Sequence, residues 1–253
     1  MALSWSGRRQ ILYTSVGAVI VFILLMVIYE AFFTAAPSCF DNKQDGTETG
    51  VDCGGSCSLV CPDAAKDPVV LWARAFDTGG NYYTAAAYVE NSNLGAGAKQ
   101  VKYSFQLFDA ANSLVIERDG VADIPPVQTV PVIEPNINAG NRVVTHALFA
   151  FTDDPSTIAW RTIPASQVPV LQVTQQNLST DGSRLSATIT NNTLTDAKNV
   201  TVAAVLFDAN GVARAASKSL IDVPRQSSAP VVFTWPGGVA NIVKAEITVL
   251  PSF

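Results

Sequence analysis

Phe105-Gln106-Leu107-Phe108-Asp109-Ala110 reappears further along the chain as Ala204-Val205-Leu206-Phe207-Asp208-Ala209. Flanking stretches follow in the same order. Ala87-Tyr88-Val89-Glu90-Asn91 lines up with Ala187-Thr188-Ile189-Thr190-Asn191, and Asp123-Ile124-Pro125 with Asp222-Val223-Pro224. Leu148-Phe149-Ala150-Phe151 is matched to Val232-Phe233-Thr234-Trp235. Order is kept and spacing slips mainly where loops would fall, which is the signature of an internal repeat. Short runs of Val, Ile, Thr, Phe and Tyr alternate with polar residues and are cut by Gly, Asn, Asp and Pro, a β pattern. Tyr103, Phe105 and Leu107 fall on one face of a strand, with Lys102, Gln106 and Phe108 on the other. Asp109 with Asn112, and Asp208 with Gly211, supply the closing turns, because Asn and Gly tolerate positive φ.

Each repeat is about 90–100 residues, the size of a seven-stranded sandwich domain. Domains of that size bury enough core to fold alone, and neither repeat carries a cysteine. The expected boundaries are 69–163 and 168–253, joined by Ile163-Pro164-Ala165-Ser166-Gln167. Pro131 to Asn141, with Pro131, Pro135 and Gly140, reads as a long inserted loop and as a place for contact residues. At Phe105-x-Leu107-Phe108-Asp109 the chain resembles the FxLYD family of Ig-like sandwiches found in extracytoplasmic prokaryotic proteins, with Phe in place of Tyr. The second repeat has Ala204 in place of the leading Phe. The resemblance implies a fold and a compartment, and carries no catalytic motif with it.

Upstream of a polar linker, Pro62 to Pro68, lies a cysteine-rich segment (37–61) with Cys39, Cys53, Cys57 and Cys61, the only cysteines in the chain. Four cysteines in a Gly-, Asp- and Ser-rich piece read as two disulfides, since such a piece has little apolar surface to offset its ordering entropy. Three pairings remain open. A four-thiolate zinc site is the competing reading, but Cys39 lacks the near partner that structural zinc sites use. Between the cysteines, Asp41, Asp45, Glu48 and Asp52 offer hard oxygen ligands at short intervals. They are the weak calcium candidates, since the EF-hand spacing is absent and a solvated acidic loop is the simpler reading. The string Asp45-Gly46-x-Glu48-Thr49-Gly50-Val51-Asp52-Cys53-Gly54-Gly55-x-Cys57 resembles a short cysteine-rich motif of prokaryotic secreted and surface proteins. That motif implies location and disulfides rather than an activity.

Ile11 to Phe33 is an apolar run with one charge, Glu30, near its end. At about 1.5 Å per residue it is long enough for a hydrocarbon core of roughly 30 Å. It exceeds a secretory signal core, and Thr34-Ala35-Ala36, the one small-residue cleavage candidate, is followed by Pro37. Arg8 and Arg9 precede the run and acidic residues follow it, which places a tail (1–10) in the cytoplasm and the remainder outside. The Arg pair also fits a twin-arginine export signal loosely, but a topology determinant explains it as well.

Chemistry is scarce. His146, the single histidine, lies in an alternating run from Val143 to Phe151 with no Cys or acidic partner nearby in sequence. Gly95-Ala96-Gly97-Ala98-Lys99 lacks the spacing of a nucleotide loop and reads as a connection between strands. Asn177-Leu178-Ser179, Asn191-Asn192-Thr193 and Asn199-Val200-Thr201 are sequons, relevant only where the host glycosylates asparagine. Of 16 basic and 21 acidic residues, Arg8, Arg9 and Glu30 lie in or beside the apolar run, leaving 14 and 20, a net of −6. No basic stripe exists to neutralise phosphates, so nucleic acid is not an expected partner.

The sequence therefore predicts a mainly β protein: a transmembrane α-helix (11–33), a disulfide-rich stalk segment and two tandem Ig-like sandwiches. It implies no enzyme and no cofactor. The expected partners are membrane lipid along residues 11–33 and another envelope protein or surface ligand. The expected role is extracytoplasmic binding or scaffolding, or else an accessory subunit of a membrane-embedded secretion or pilus-type assembly.

Overall fold

The computed structural model describes residues 5–33, 37–126, 128–164 and 168–252. The cleavage candidate Thr34-Ala35-Ala36 and the linker residues Ala165, Ser166 and Gln167 lie outside the described residues. The chain forms two compact units, 1–52 and 53–253.

The first unit opens with α1 (Trp5–Phe33). Its segment Trp5–Glu30 contains an 18-residue stretch with a mean hydropathy of 2.8 and no buried residue, so it is long and apolar enough to cross a membrane. A helix that is apolar all round has no stripe to turn toward a core. Its few hydroxyls turn back on the backbone: Thr14 Oγ1 donates to the Gln10 carbonyl at 2.9 Å, and Ser15 Oγ to that of Leu12 at 3.0 Å.

The second unit is built from thirteen strands. They are β1 (Val69–Gly79), β2 (Tyr82–Asn91), β3 (Ala96–Phe108), β4 (Leu114–Ile124), β5 (Gln128–Asn138), β6 (His146–Phe151) and β7 (Arg161–Thr162), followed by β8 (Leu171–Leu178), β9 (Arg184–Asn191), β10 (Ala197–Asp208), β11 (Ala213–Val223), β12 (Ser227–Thr234) and β13 (Ile242–Leu250). They form antiparallel sheets ordered β1-β2-β5, β4-β3-β6, β12-β9-β8 and β11-β10-β13, with the two-residue β7 paired to the start of β3. Among the described residues the first half thus has seven strands, one of them the two-residue β7, and the second has six.

The two halves share register as well as strand order. Ala98 faces Ile124 and Val101 faces Ala122 across one bulge, as Ala197 faces Val223 and Val200 faces Ile221 across the other. At these bulges Gln100 (φ 53°) and Asn199 (φ 52°) adopt the left-handed conformation. Their N–H groups donate to Asp123 at 2.9 Å and Asp222 at 2.8 Å. Both Asp-led turns also form, with Asn112 N donating to the Asp109 carbonyl at 3.1 Å and Gly211 N to that of Asp208 at 3.0 Å.

Three sequence expectations are corrected here. Pro131 to Asn141 is not a loop, because most of it is β5, where Pro131 pairs with Tyr88 just as Pro230 of β12 pairs with Thr188. Both prolines sit on edge strands, where a missing N–H interrupts no ladder. The match of Leu148–Phe151 to Val232–Trp235 also fails. The former lies in β6 beside β3, the latter at the end of β12, and the counterpart of β6 is β13. Finally, Ala96 to Lys99 belong to β3 rather than to a connection.

Two cores lie between the paired sheets. One gathers Ala85, Ala87, Val89, Tyr103, Phe105, Leu107, Val132 and Phe149; the other gathers Leu185, Ile189, Val202, Ala204, Leu206 and Phe233. A third cluster lies between the halves, where Phe76, Ala86, Tyr88 and Ile133 meet Ala203, Val205, Phe207, Ala213 and Ala216. Sheet β1-β2-β5 and sheet β11-β10-β13 are therefore covered on both faces, giving four stacked layers. Tyr88 anchors the contact: its ring stacks on Trp72 at 4.6 Å and its hydroxyl donates to Glu246 at 3.0 Å.

A buried asparagine closes the end of each half. Asn91 Nδ2 donates to the carbonyls of Ala96 (2.9 Å) and Pro125 (2.7 Å), and Oδ1 accepts from Asn93 N at 2.9 Å. Asn191 repeats this with the carbonyls of Thr195 (2.8 Å) and Val223 (3.0 Å) and the N–H of Thr193 (3.0 Å). An Asn191→Ala substitution strands these groups away from water and is expected to cost about 3 kcal/mol, read as a lowered urea midpoint with an unchanged slope. A loss below about 0.5 kcal/mol, within the range of ordinary surface changes, would show the cap to be dispensable. In calorimetry, the 53–253 unit is expected to melt as one transition. Ala203→Asp, which forces an unpaired carboxylate between the halves, should split or sharply lower that transition. A single unshifted transition would mean the halves do not depend on one another.

Candidate functional site

The boundary between the two units falls at Asp52/Cys53, within the cysteine-rich segment. All four cysteines are disulfide-bonded, in two disulfides, so no thiolate remains for zinc. One disulfide joins Cys53 to Cys61, with Cα atoms 5.0 Å apart. The loop it closes is docked on the β region: Val60 N donates to the Trp160 carbonyl at 2.8 Å, Thr162 N donates to that of Ser58 at 2.7 Å, and Leu59 bridges Arg161. Beneath it Trp160 is 1% exposed and packs with Ala98, Val101, Ile124 and Ile158, with Val60 and Ala65 against them. The expected linker is likewise tied down, since Asn93 accepts from Lys66 N and donates to the Lys66 carbonyl, both at 2.7 Å.

In the first unit the acidic residues are committed to the loop backbone. Asp52 accepts from the N–H groups of Asp41 and Asn42, each at 2.9 Å, and Asp45 accepts from Ser38 N at 3.2 Å. Glu48 accepts from Asp45 N at 3.3 Å and Asp52 N at 3.2 Å, and Asp41 from Lys43 N at 3.0 Å. Side-chain oxygens in this arrangement act as turn caps, the usual task of Asp in a sequence rich in Gly and Asn.

His146 begins β6 rather than lying within a longer strand. Its ring stacks on Phe108 at 5.3 Å, with Nδ1 3.1 Å from Thr145 Oγ1. Of the sequons, Asn191 is fully buried with both amide protons bonded, so its side chain cannot receive a glycan in the folded protein. Asn177 and Asn199 are exposed.

Sequence reasoning missed a cleft between the halves. It has a volume of about 590 Å³ and is lined by Tyr103, Val121, Pro131, Ile133, Lys218 and Leu220, among others. Glu134 stands near it, accepting from the Tyr103 hydroxyl at 2.5 Å, with Lys218 Nζ at 3.7 Å and Arg118 Nε at 3.8 Å. Burial, then the hydrogen bond to Glu134 and its charge, push the Tyr103 hydroxyl far above the ordinary phenol range. It therefore stays protonated as a donor. Gly120 of β4 makes room for the ring, since a Cβ there would lie 2.5 Å from the Tyr103 hydroxyl. The nearest signal in sequence was the bare Gly within Glu117 to Ile124.

Opening the Cys53–Cys61 loop with Cys53→Ser and Cys61→Ser should remove about 2–3 kcal/mol of loop closure. Proteolysis within residues 53–61 should then accelerate while the β strands keep their circular dichroism. Unchanged cleavage would show that docking on Trp160 alone holds the loop.

Comparison with known proteins adds little to this geometry. No protein-family model matches the chain, and no curated protein matches it. Among solved structures, red sea bream transglutaminase aligns at 11% identity with a TM-score of 0.21, covering 72% of this chain and 31% of that one. An exo-chitosanase of Amycolatopsis orientalis aligns at 10% identity with a TM-score of 0.18, covering 71% and 26%. The chain thus spans about a third or less of the structures it is similar to, and likenesses this loose identify neither a family nor an activity.

Proposed function

We propose that this is a single-pass membrane protein whose helix anchors an extracytoplasmic binding or scaffold module of two tandem Ig-like sandwiches. The carrying observation is α1, apolar around its whole circumference and with no buried face, in a chain whose four cysteines are all oxidised. Disulfides persist in oxidising compartments, and Arg8 and Arg9, in the first turns of α1 ahead of its apolar run, orient the remainder outward. Matched strand order, bulges and Asn caps in the two halves support the tandem reading. The resemblance of Phe105-x-Leu107-Phe108-Asp109 to FxLYD domains points to the same compartment. On this reading the four-layer stack presents its outer faces and the inter-half cleft as one rigid surface, which suits display to an envelope protein or surface ligand. Like-for-like packing between the halves would fix the spacing of anything bound to both.

Two measurements on the native host test this. Protease added to intact cells or spheroplasts should remove a carboxy-terminal tag and spare an amino-terminal one; the opposite pattern, or full protection, defeats the topology. Replacing residues 11–33 by an unrelated apolar helix should preserve the partners recovered by cross-linking. Their loss would instead make the helix itself the contact element, as in a subunit of a membrane assembly.

A further inference from the structure

Where the Cys53–Cys61 loop lies along β7 and the start of β3, a cavity of about 640 Å³ opens. Its walls are fixed from several sides. Thr162 pairs with Ala96 and Arg161 with Gly97, the loop bonds to the backbone of Trp160 and Thr162, and the disulfide closes the loop behind. The backbone walls of the pocket are thus in place before a ligand arrives, and what binding has to order is the two exposed cationic side chains.

The chemistry of the lining is one-sided. Lys99 and Arg161 contribute two positive charges, Ser56, Ser58 and Thr162 contribute hydroxyls, and no carboxylate is among its described lining residues. The contrast with the rest of the molecule is informative, because the chain carries −5 overall and the four other cavities described each include an aspartate: Asp123, Asp208, Asp77 or Asp181. Among the described residues the Arg161 guanidinium makes one side-chain hydrogen bond, Nη1 to Ser58 Oγ at 3.5 Å, and no ion pair. A guanidinium has five donors in a planar fork that matches tetrahedral oxyanions. Ile163, Pro164 and Ala159 add an apolar side, and the volume exceeds what a bare phosphate needs.

We propose that this cavity binds a phosphate-type oxyanion carried on a small organic body, such as an acidic lipid headgroup or a phosphorylated unit of an envelope polymer. Arg161 grips the anion, Lys99 and the hydroxyls of Ser56, Ser58 and Thr162 complete its shell, and the apolar side receives the body. The pocket stands on its own geometry, while the lipid and envelope sources named for its ligand rest on the proposed membrane anchoring. Both cations are solvent-exposed, so binding weakens as salt screens them.

The test uses the isotopically labelled full chain in maltoside micelles, titrated with glycerol phosphate and, at matched ionic strength, with sodium chloride. Saturable amide shifts are expected at Ser56, Ser58, Gly97 and Thr162 with glycerol phosphate alone. Arg161→Ala and Lys99→Ala should each weaken binding at least tenfold, with the Trp160 indole resonance unmoved as the check on folding. Shifts that chloride reproduces, the absence of saturation, or undiminished binding in a folded Arg161→Ala variant overturns the site. Should that variant lose its fold, Lys99→Gln decides by the same criteria. Transfer to nanodiscs separates the sources. Shifts at the same amides with phosphatidylglycerol but not phosphatidylcholine identify a lipid headgroup; a response to soluble glycerol phosphate alone identifies a polymer unit.

Discussion

The β region is organised around the apolar layer between its two halves. In β2, Ala85, Ala87 and Val89 face one core while Ala86 and Tyr88 face the layer between halves; in β10, Val202, Ala204 and Leu206 face the second core while Ala203, Val205 and Phe207 face that same layer. A strand with water on one side can exchange polar residues there freely. These two strands cannot, because either face now touches packed side chains. Alanine dominates the contact because sheets carrying small residues can approach without leaving voids. Where the layer meets solvent, charge takes over: Lys218 lies 3.7 Å from Glu134 on one flank, and Tyr88 reaches Glu246 on another.

Much of this was legible in the chain. Strand alternation around Phe105 and Leu107 and the Asp-led turns follow from side-chain period and turn chemistry, and the structure carries both. The union of the halves was legible too, but in a signal that repeat-matching overlooks. Ala85 to Val89 and Val202 to Phe207 are unbroken apolar runs, the mark of strands covered on both faces. A search for alternation reads only one face and treats the other as noise.

What misled the sequence reading has specific physical causes. Prolines at 131 and 135 look like loop residues until the strand is known to be an edge, where no N–H is required of them. Phe149 and Phe233 look equivalent because both are aromatic residues in short strands, yet one pairs beside Phe105 and the other beside Leu185. Composition cannot distinguish two strands that serve the same core from opposite sheets. Asn91 and Asn191 were visible as a matched pair, but polar residues in a β pattern read as surface. Burial with every hydrogen-bonding atom satisfied requires carbonyls from distant segments, which only the folded chain brings together.

The cysteine segment shows how cross-links and docking divide a task. Residues 53–61 contain few apolar side chains, so packing alone gives them little reason to stay in place. The disulfide restricts the loop, and once restricted it needs only Val60 against Trp160 and a few backbone hydrogen bonds to hold a fixed position. In residues 38–52, where Cys39 is also disulfide-bonded, carboxylates cap turns of the backbone. A carboxylate used in that way satisfies the backbone donors of a loop that has no sheet to pair with. The acidic residues of 38–52 thus meet the hydrogen-bonding demand of an irregular backbone, alongside the disulfide that holds Cys39.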